Sequence, residues 1–400
     1  MVYTKIEHEN FSFTTPSPTL LYHKWQGYDR FTVEHRNNRR LKAFSTDQQK
    51  DYLKKIIEYV NQVKEEQSGW IEKYLSNISA LSSNVILESF TTNWRLIVGM
   101  GTNPTLETGL QLHHLYGFPY IPGSMVKGLL HHVAELELCQ SENWKLDGED
   151  SWQQVSKEKK EKFHQALARA RLIRILFGSV FITRYKNKKN NQFYGLETPL
   201  EWFKEWKEKI FDKMNEKEKE EIQETITALK TIASEDHTGG MLTFFDAVPD
   251  EDAFNDGELL QLDIMNPHYQ DYYSDDKGTT PPSDDQNPNP IYFLAVKPGV
   301  KFVFPYRIAD FPLDNGWRDV LEEERWNVLQ KNDINNLEDI QKLVNHWFEA
   351  ALTEWGVGAK TAAGYGYFMG ETSDVKQEKE KDNANQAESN PDNLPPDMDV

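Results

Sequence analysis

Four glycines fall within eleven residues near the end of the chain: Gly356, Gly358, Gly364 and Gly366, in the stretch WGVGAKTAAGYGYF. They follow directly on a helical pattern. Leu337, Ile340, Val344, Trp347, Ala351 and Trp355 recur three or four residues apart behind a capping Asn336, which predicts a helix stopped by Gly356. A chain built this way must pass from helix to strand (GYGYFM) through a loop of small residues. That order excludes a P-loop, which opens a helix after a strand and needs glycine where this chain has Glu354 and Ala359. The dinucleotide fingerprint fails as well, because Thr361 stands at the third glycine position. Such a loop lets backbone N–H groups approach an anion without obstruction, with Lys360 as a point charge and Tyr365 as a stacking face. An ordinary helix-to-strand turn would use the same residues.

Upstream, helical and extended patterns alternate. Thr46 with Gln49 forms a capping box ahead of Tyr52, Ile56, Val60 and Val63, predicting a helix over about 47–65. TTNWRLIVG (91–99) reads as a strand. Pro122-Gly123-Ser124 opens a helix with Ser124 as N-cap and Val126, Leu129, Leu130 and Val133 on one face. A further helix carries Phe163, Ala166, Ala170, Ile173 and Phe177 and ends at Gly178. SVFITRY is the next strand, followed by the basic loop KNKKNNQ and a polar helical stretch over about 200–233. GGMLTFFDAVP and LLQLDIMN read as strands, and IYFLAV with KFVFPYRI as a hairpin around Pro298-Gly299. The expected class is α+β.

Composition narrows the function. The longest purely apolar run is six residues, Ile291 to Val296, where a membrane span needs about 18 or more. The start MVYTKIEHEN lacks the apolar core of a signal peptide, so a cytoplasmic protein is expected. The single cysteine, Cys139, rules out an intramolecular disulfide and a multi-cysteine metal site. The net charge is −19, of which residues 371–400, with nine acidic residues against three lysines and no aromatic, carry −6. That tail is expected to be disordered, because it cannot bury enough apolar surface to offset ordering entropy. Basic residues nevertheless cluster at His35–Lys42, at Arg169–Arg174, and at Arg184, Lys186, Lys188 and Lys189. These are either solvated faces or local cationic surfaces on an acidic body.

Candidate chemistry is sparse. His113 and His114 are adjacent on an extended segment and point to opposite faces, as do His131 and His132 on a helix, and no HExxH spacing occurs. His113 remains open as a structural residue, an RNA contact or a base. Asp246, Asp263 and the acids of 271–276 lack a diagnostic metal spacing, so neither metal nor cofactor is expected. Gly123, Ser124 and Lys127 lie in the first turn of a helix, a ready place for a phosphate.

LHHLYGFPYIPGSMVKGLL, ILFGS, FFDAVP, LDIMNPHYQDYY, IYFLAVKPG and GVGAKTAAGYGYF, in this order, resemble the RAMP superfamily of CRISPR-associated RNA-binding proteins, and within it the sixth subunits of type III-B (Cmr) effector complexes. The resemblance covers roughly 91–370. It implies a ferredoxin-like, RRM-like core with a helical insertion over about 141–235; the partly helical extension (1–90) before it and the acidic tail (371–400) after it lie outside the resemblance. It also implies a non-catalytic subunit that binds guide RNA near its 3′ end, alongside target RNA, and caps a filament of other Cmr subunits. Carried over, the family's glycine-rich loop falls on Gly356, Gly358, Lys360, Thr361, Gly364 and Tyr365, and its first-helix start on Pro122 to Lys127. His114 and Met125 depart from the family pattern at positions where proline and a small polar residue are common. The alternative is an enzyme: other RAMP members are metal-independent endoribonucleases, for which His113 with Lys127 or Lys360 would have to form the site. A scaffold touching only proteins is a third reading.

Overall fold

The computed structural model describes mainly residues 46–102, 108–140, 155–178, 239–254, 258–267, 290–309 and 326–370, with short pieces between 29 and 42, 185 and 194, 214 and 223, and 275 and 288. The mixture of helices and antiparallel sheets bears out the α+β class. Five helices are used below: α1 (Thr46–Gln62), α2 (Lys64–Ser79), α3 (Gly123–Gln140), α4 (Lys157–Phe177) and α5 (Leu337–Ala350). The strands are β1 (Val85–Thr91), β2 (Leu242–Phe244), β3 (Val248–Pro249), β4 (Leu260–Met265), β5 (Ile291–Val296) and β6 (Lys301–Ile308).

β6 is the centre of the main sheet. Its residues 301–307 pair antiparallel with β1 on one side, and β2 and β3 pair with its two ends on the other. Pro305 explains why that second side is broken. Proline has no N–H to give a ladder; its carbonyl takes the Phe245 N–H at 3.0 Å, and the partner chain leaves the sheet at Phe245-Asp246-Ala247 before rejoining as β3. The single strand expected over GGMLTFFDAVP is therefore two short strands with a bulge between them.

α5 lies on this sheet through Phe348, whose ring meets Phe90 of β1, Phe304 and Tyr306 of β6, and Phe244 of β2 at centroid distances of 5.7–6.2 Å. Trp347, one residue earlier, is fully buried against Phe177 of α4. Glu137 of α3 ties the three helices together: it pairs with His346, accepts the Trp347 indole N–H at 2.8 Å, and lies 3.7 Å from Arg169 of α4. Local signals bound these helices, Gly178 and Asn336 as expected. Ser156 caps α4 by accepting the Lys159 N–H, Gly178 ends it at φ +83°, and Asn336 caps α5 by accepting the Asp339 N–H.

Four expectations need correcting. IYFLAV and KFVFPYRI are not a hairpin: β5 pairs with β4, and β6 with β1, β2 and β3. The Pro298-Gly299 turn carries the chain from one sheet to the other, held by Thr92. The Thr92 hydroxyl accepts the Val300 N–H and donates to the Lys297 carbonyl, and the Thr92 carbonyl takes the Gly299 N–H. The strand expected at 91–99 lies instead at Val85–Thr91, and Leu96 makes an isolated bridge to Val296. GYGYFM contributes one bridge, Phe368 to Thr92, and no strand. The N-terminal helix ends at Gln62, and a second helix, α2, follows; α1 packs on the β4–β5 pair and α2 against β1. All of SVFITRY but Tyr185, which pairs with Tyr194, lies outside the described residues, as do most of the helical stretch near 200–233 and the tail after Gly370.

Candidate nucleic-acid interface

α5 widens over Ala351–Trp355 into a π-helical turn, and Gly356 leaves it at φ +72°. Two glycines of the loop are demanded by close backbone approach. A Cβ on Gly358 would stand 2.2 Å from the Ile97 carbonyl oxygen, and one on Gly366 2.0 Å from that of Val357. The tightness comes from short bonds across the loop: Val357 N–H to Gly366 O, Ala359 N–H to Ile97 O, and Gly366 N–H to Arg95 O, all 2.8–2.9 Å. Gly364 differs, with open space around it at φ +88°. Lys360 also has a left-handed backbone, φ +60° and ψ +30°, which costs a side-chain-bearing residue about 1 kcal/mol.

That conformation has a chemical consequence. The N–H groups of Gly358, Lys360, Thr361 and Ala362 donate to no acceptor among the described residues, whereas those of Ala363, Gly364 and Tyr365 turn back into the loop. Successive free N–H groups around a left-handed residue form a concavity suited to an anion. The Lys360 ammonium lies 5.8 Å from the Phe293 ring centroid. Tyr365 is half-buried; its hydroxyl donates to Asp263 at 2.6 Å, and burial together with that carboxylate holds its pKa above the ordinary phenol value. Arg95 reaches the same Asp263 oxygen at 3.0 Å. Arg95, Trp94 and Asp263 were not read from the sequence as partners of this loop. Their only signal was position on strand-like segments, since their meeting depends on tertiary pairing.

The second candidate place is the start of α3. Asp246, projected by the bulge opposite Pro305, accepts the Gly123 N–H at 2.8 Å. The helix therefore begins at Gly123, with Ser124 in its first turn, exposed, instead of at the cap. Gly123 is required by space, because a Cβ there would lie 2.5 Å from the Phe244 carbonyl oxygen. Lys127 lies half-buried one turn on and lowers the pKa of His131. A carboxylate already sits at this helix N-terminus, where the sequence suggested room for phosphate.

His113 lies in an aromatic cluster, its ring 4.6–5.3 Å from those of Trp70, Tyr116 and Phe118. Its Nδ1 accepts the Tyr116 N–H, and burial followed by the neighbouring His114 lowers its pKa. Asp246 acts on it in the opposite direction. Asp246 and Asp263 are thus engaged separately, one at Gly123 and the other at Arg95 and Tyr365. Among the described residues no three His, Cys, Asp or Glu side chains converge as metal ligands. Lys186 forms part of a two-residue ladder with 193–194, while Arg184, Lys188 and Lys189 lie outside the described residues.

The two candidate places are joined by backbone. Gly366 and Ala359 bond to Arg95 and Ile97, Val98 accepts from Gln111, Gln111 from Tyr120, and Ile121 exchanges both bonds with Ala247, next to Asp246. Segments distant in sequence become one ribbon of irregular strand running from the glycine loop to the start of α3.

The model of the RAMP superfamily matches residues 89–368 of this chain. The chain belongs to the RAMP superfamily. The matched part begins in β1 and ends at Phe368, which bridges to Thr92 just beyond that strand, so this RAMP segment closes on itself. The protein is similar to the CRISPR system Cmr subunit Cmr6 of Pyrococcus furiosus, 29% identical over 325 residues that make up 79% of this chain and 78% of that one. Among solved structures, it matches the crystal structure of Cmr6 from Pyrococcus furiosus (27% identity, 72% of this chain and 97% of that chain, TM-score 0.29). It also matches a chain in the cryo-EM structure of the type III-B Cmr-beta complex bound to cognate target RNA (16% identity, 80% and 73% coverage, TM-score 0.36). As to membranes, no described helix is long and apolar enough to cross one.

Proposed function

We propose that this RAMP protein is a non-catalytic, RNA-binding subunit of a type III-B CRISPR (Cmr) effector complex. In this reading it holds guide RNA near its 3′ end and caps the filament of other Cmr subunits, on a ferredoxin-like core with an N-terminal helical extension and a helical insertion. The observation that carries the reading is the glycine loop, where the N–H groups of Gly358, Lys360, Thr361 and Ala362 have no acceptor among the described residues, on a protein of net charge −19. A cationic, donor-rich concavity on an acidic body is suited to a phosphate backbone, and the similarity to Cmr6 along most of both chains supports the assignment. The loop residues Gly356, Gly358, Lys360, Thr361 and Gly364 form the principal contact, and Tyr365 stands in the same loop, tied to Asp263. Ser124 and Lys127 extend it along the ribbon at the start of α3, and the basic residues Arg184, Lys186, Lys188 and Lys189 add positive charge for the same RNA.

The test is a salt titration of single-stranded RNA binding by the full chain and its Lys360→Ala variant. Loss of one single-strand phosphate contact should lower the salt slope by about 0.7 and weaken all sequences alike. An unchanged slope would reduce the loop to a connector. RNA cleavage that disappears in His113→Ala and persists in Lys360→Ala would replace the structural role with an enzymatic one.

A further inference from the structure

We propose that Trp94 is the base-stacking platform beside the glycine loop, and that Tyr365 is a positioning residue that holds this platform through Asp263. The proposal deepens the RNA-binding reading and rests on it. Trp94 is a large side chain left 45% exposed, although Thr92 and Leu96 on either side of it are buried. Its backbone neighbourhood is fixed: the Asn93 N–H donates to Tyr367 O and the Arg95 carbonyl takes the Gly366 N–H, both bonds reaching into the chain that leaves the glycine loop. The Arg95 guanidinium lies 4.9 Å from the Trp94 ring centroid. Arg95 is itself held at Asp263, and its buried Nε has no hydrogen-bond partner among the described residues.

Tyr365 is engaged differently. Its hydroxyl is committed to Asp263, and its ring lies 6.4 Å from that of Phe293, the residue paired with Asp263 across β4 and β5. Lys360 faces the same Phe293 ring. Contacts therefore run without a break from Lys360 through Phe293, Tyr365, Asp263 and Arg95 to Trp94. In that series the phosphate-binding groups lie at one end and an exposed indole at the other, the pairing of charge and aromatic face that single-stranded nucleic acid uses. Base stacking tolerates any base, so the platform would confer affinity without sequence preference.

The experiment measures binding of two single-stranded RNA probes of equal length to the full chain, one of uridines and one carrying a run of abasic residues. The wild type should bind the uridine probe about tenfold more tightly than the abasic one. Trp94→Ala should lose that difference while keeping the wild-type salt slope and melting temperature, and Trp94→Phe should restore most of it. Tyr365→Phe keeps a ring able to stack but loses the tether, and should weaken uridine binding severalfold. If Trp94→Ala keeps the base-dependent difference while Lys360→Ala still lowers the salt slope, the platform is overturned and the phosphate-binding loop survives. Full affinity in Tyr365→Phe overturns the tether. No RNA binding by the wild type overturns both the loop and the platform, and leaves the exposed indole as a protein contact.

Discussion

The Asp246 carboxylate accepts the Gly123 N–H at 2.8 Å, joining the bulge between β2 and β3 to the first residue of α3. A carboxylate at a helix N-terminus satisfies an orphan donor and opposes the positive end of the helix dipole. The pairing follows from Pro305, whose missing N–H releases the partner strand where Asp246 is needed. Asp246→Ala should cost about 1 kcal/mol of unfolding free energy, in the range of a lost N-cap, and Asp246→Asn should recover part of it. Urea denaturation of the two variants checks this; equal stability of all three proteins would mean that the contact is energetically idle.

The glycines of the loop should separate by cause. Gly358→Ala and Gly366→Ala drive a Cβ to within 2.2 Å of a carbonyl oxygen and should sharply destabilise the fold. Gly364→Ala has open space and should cost only about 1 kcal/mol, the penalty of a positive φ. Thermal melts of the three variants test the order, and equal losses at all three positions would refute it.

Thr92 is fully buried and serves the Pro298-Gly299 turn with both its hydroxyl and its carbonyl. Thr92→Val conserves volume but leaves the Val300 N–H without the hydroxyl acceptor, a loss of about 1–3 kcal/mol. Thr92→Ser should retain most of the stability. A Val variant as stable as the Ser variant would show that the hydroxyl contributes nothing.

His131 and Glu135 lie 3.6 Å apart, one turn apart on α3, and burial favours the neutral form of each. Burial, with Lys127 and His132, lowers His131 to about 4, while burial raises Glu135 to about 7. The signs are opposite. The depressed His131 contributes stability that is complete above its ordinary value of 6.5 and lost as pH falls toward 4. The raised Glu135 contributes stability that is complete below 4.5 and lost as pH rises through 7. Glu135→Gln should therefore stabilise the protein relative to wild type at pH 8, by on the order of 2 kcal/mol, and show little gain at pH 4.5. Denaturation at the two pH values decides; a gain independent of pH would assign the effect to packing.

Much of the helical framework was legible in the amino-acid sequence, because helix signals are local. Gly178 ends α4, Asn336 and Gly356 bound α5 with its π-helical extension, and Val126, Leu130 and Val133 mark the buried stripe of α3. α2 escaped notice because only Gln67, Ile71 and Ile78 of its sixteen residues are buried, too sparse a stripe to stand out among polar neighbours. The family was legible too, since ordered short motifs survive where pairings are not visible.

What the sequence by itself determined is therefore where this chain turns helical, where it must be glycine, and which superfamily it belongs to. Tertiary structure alone decided which strands meet. IYFLAV and KFVFPYRI are buried on both faces, so neither carries the two-residue alternation that would orient it, and a Pro-Gly turn suits a hairpin and a crossing between sheets equally well. The same holds for the site. Trp94, Asp263 and Tyr365 come from three segments, Asp263 and Tyr365 standing 102 residues apart, and a long-range hydrogen bond leaves no periodic trace in the chain that forms it.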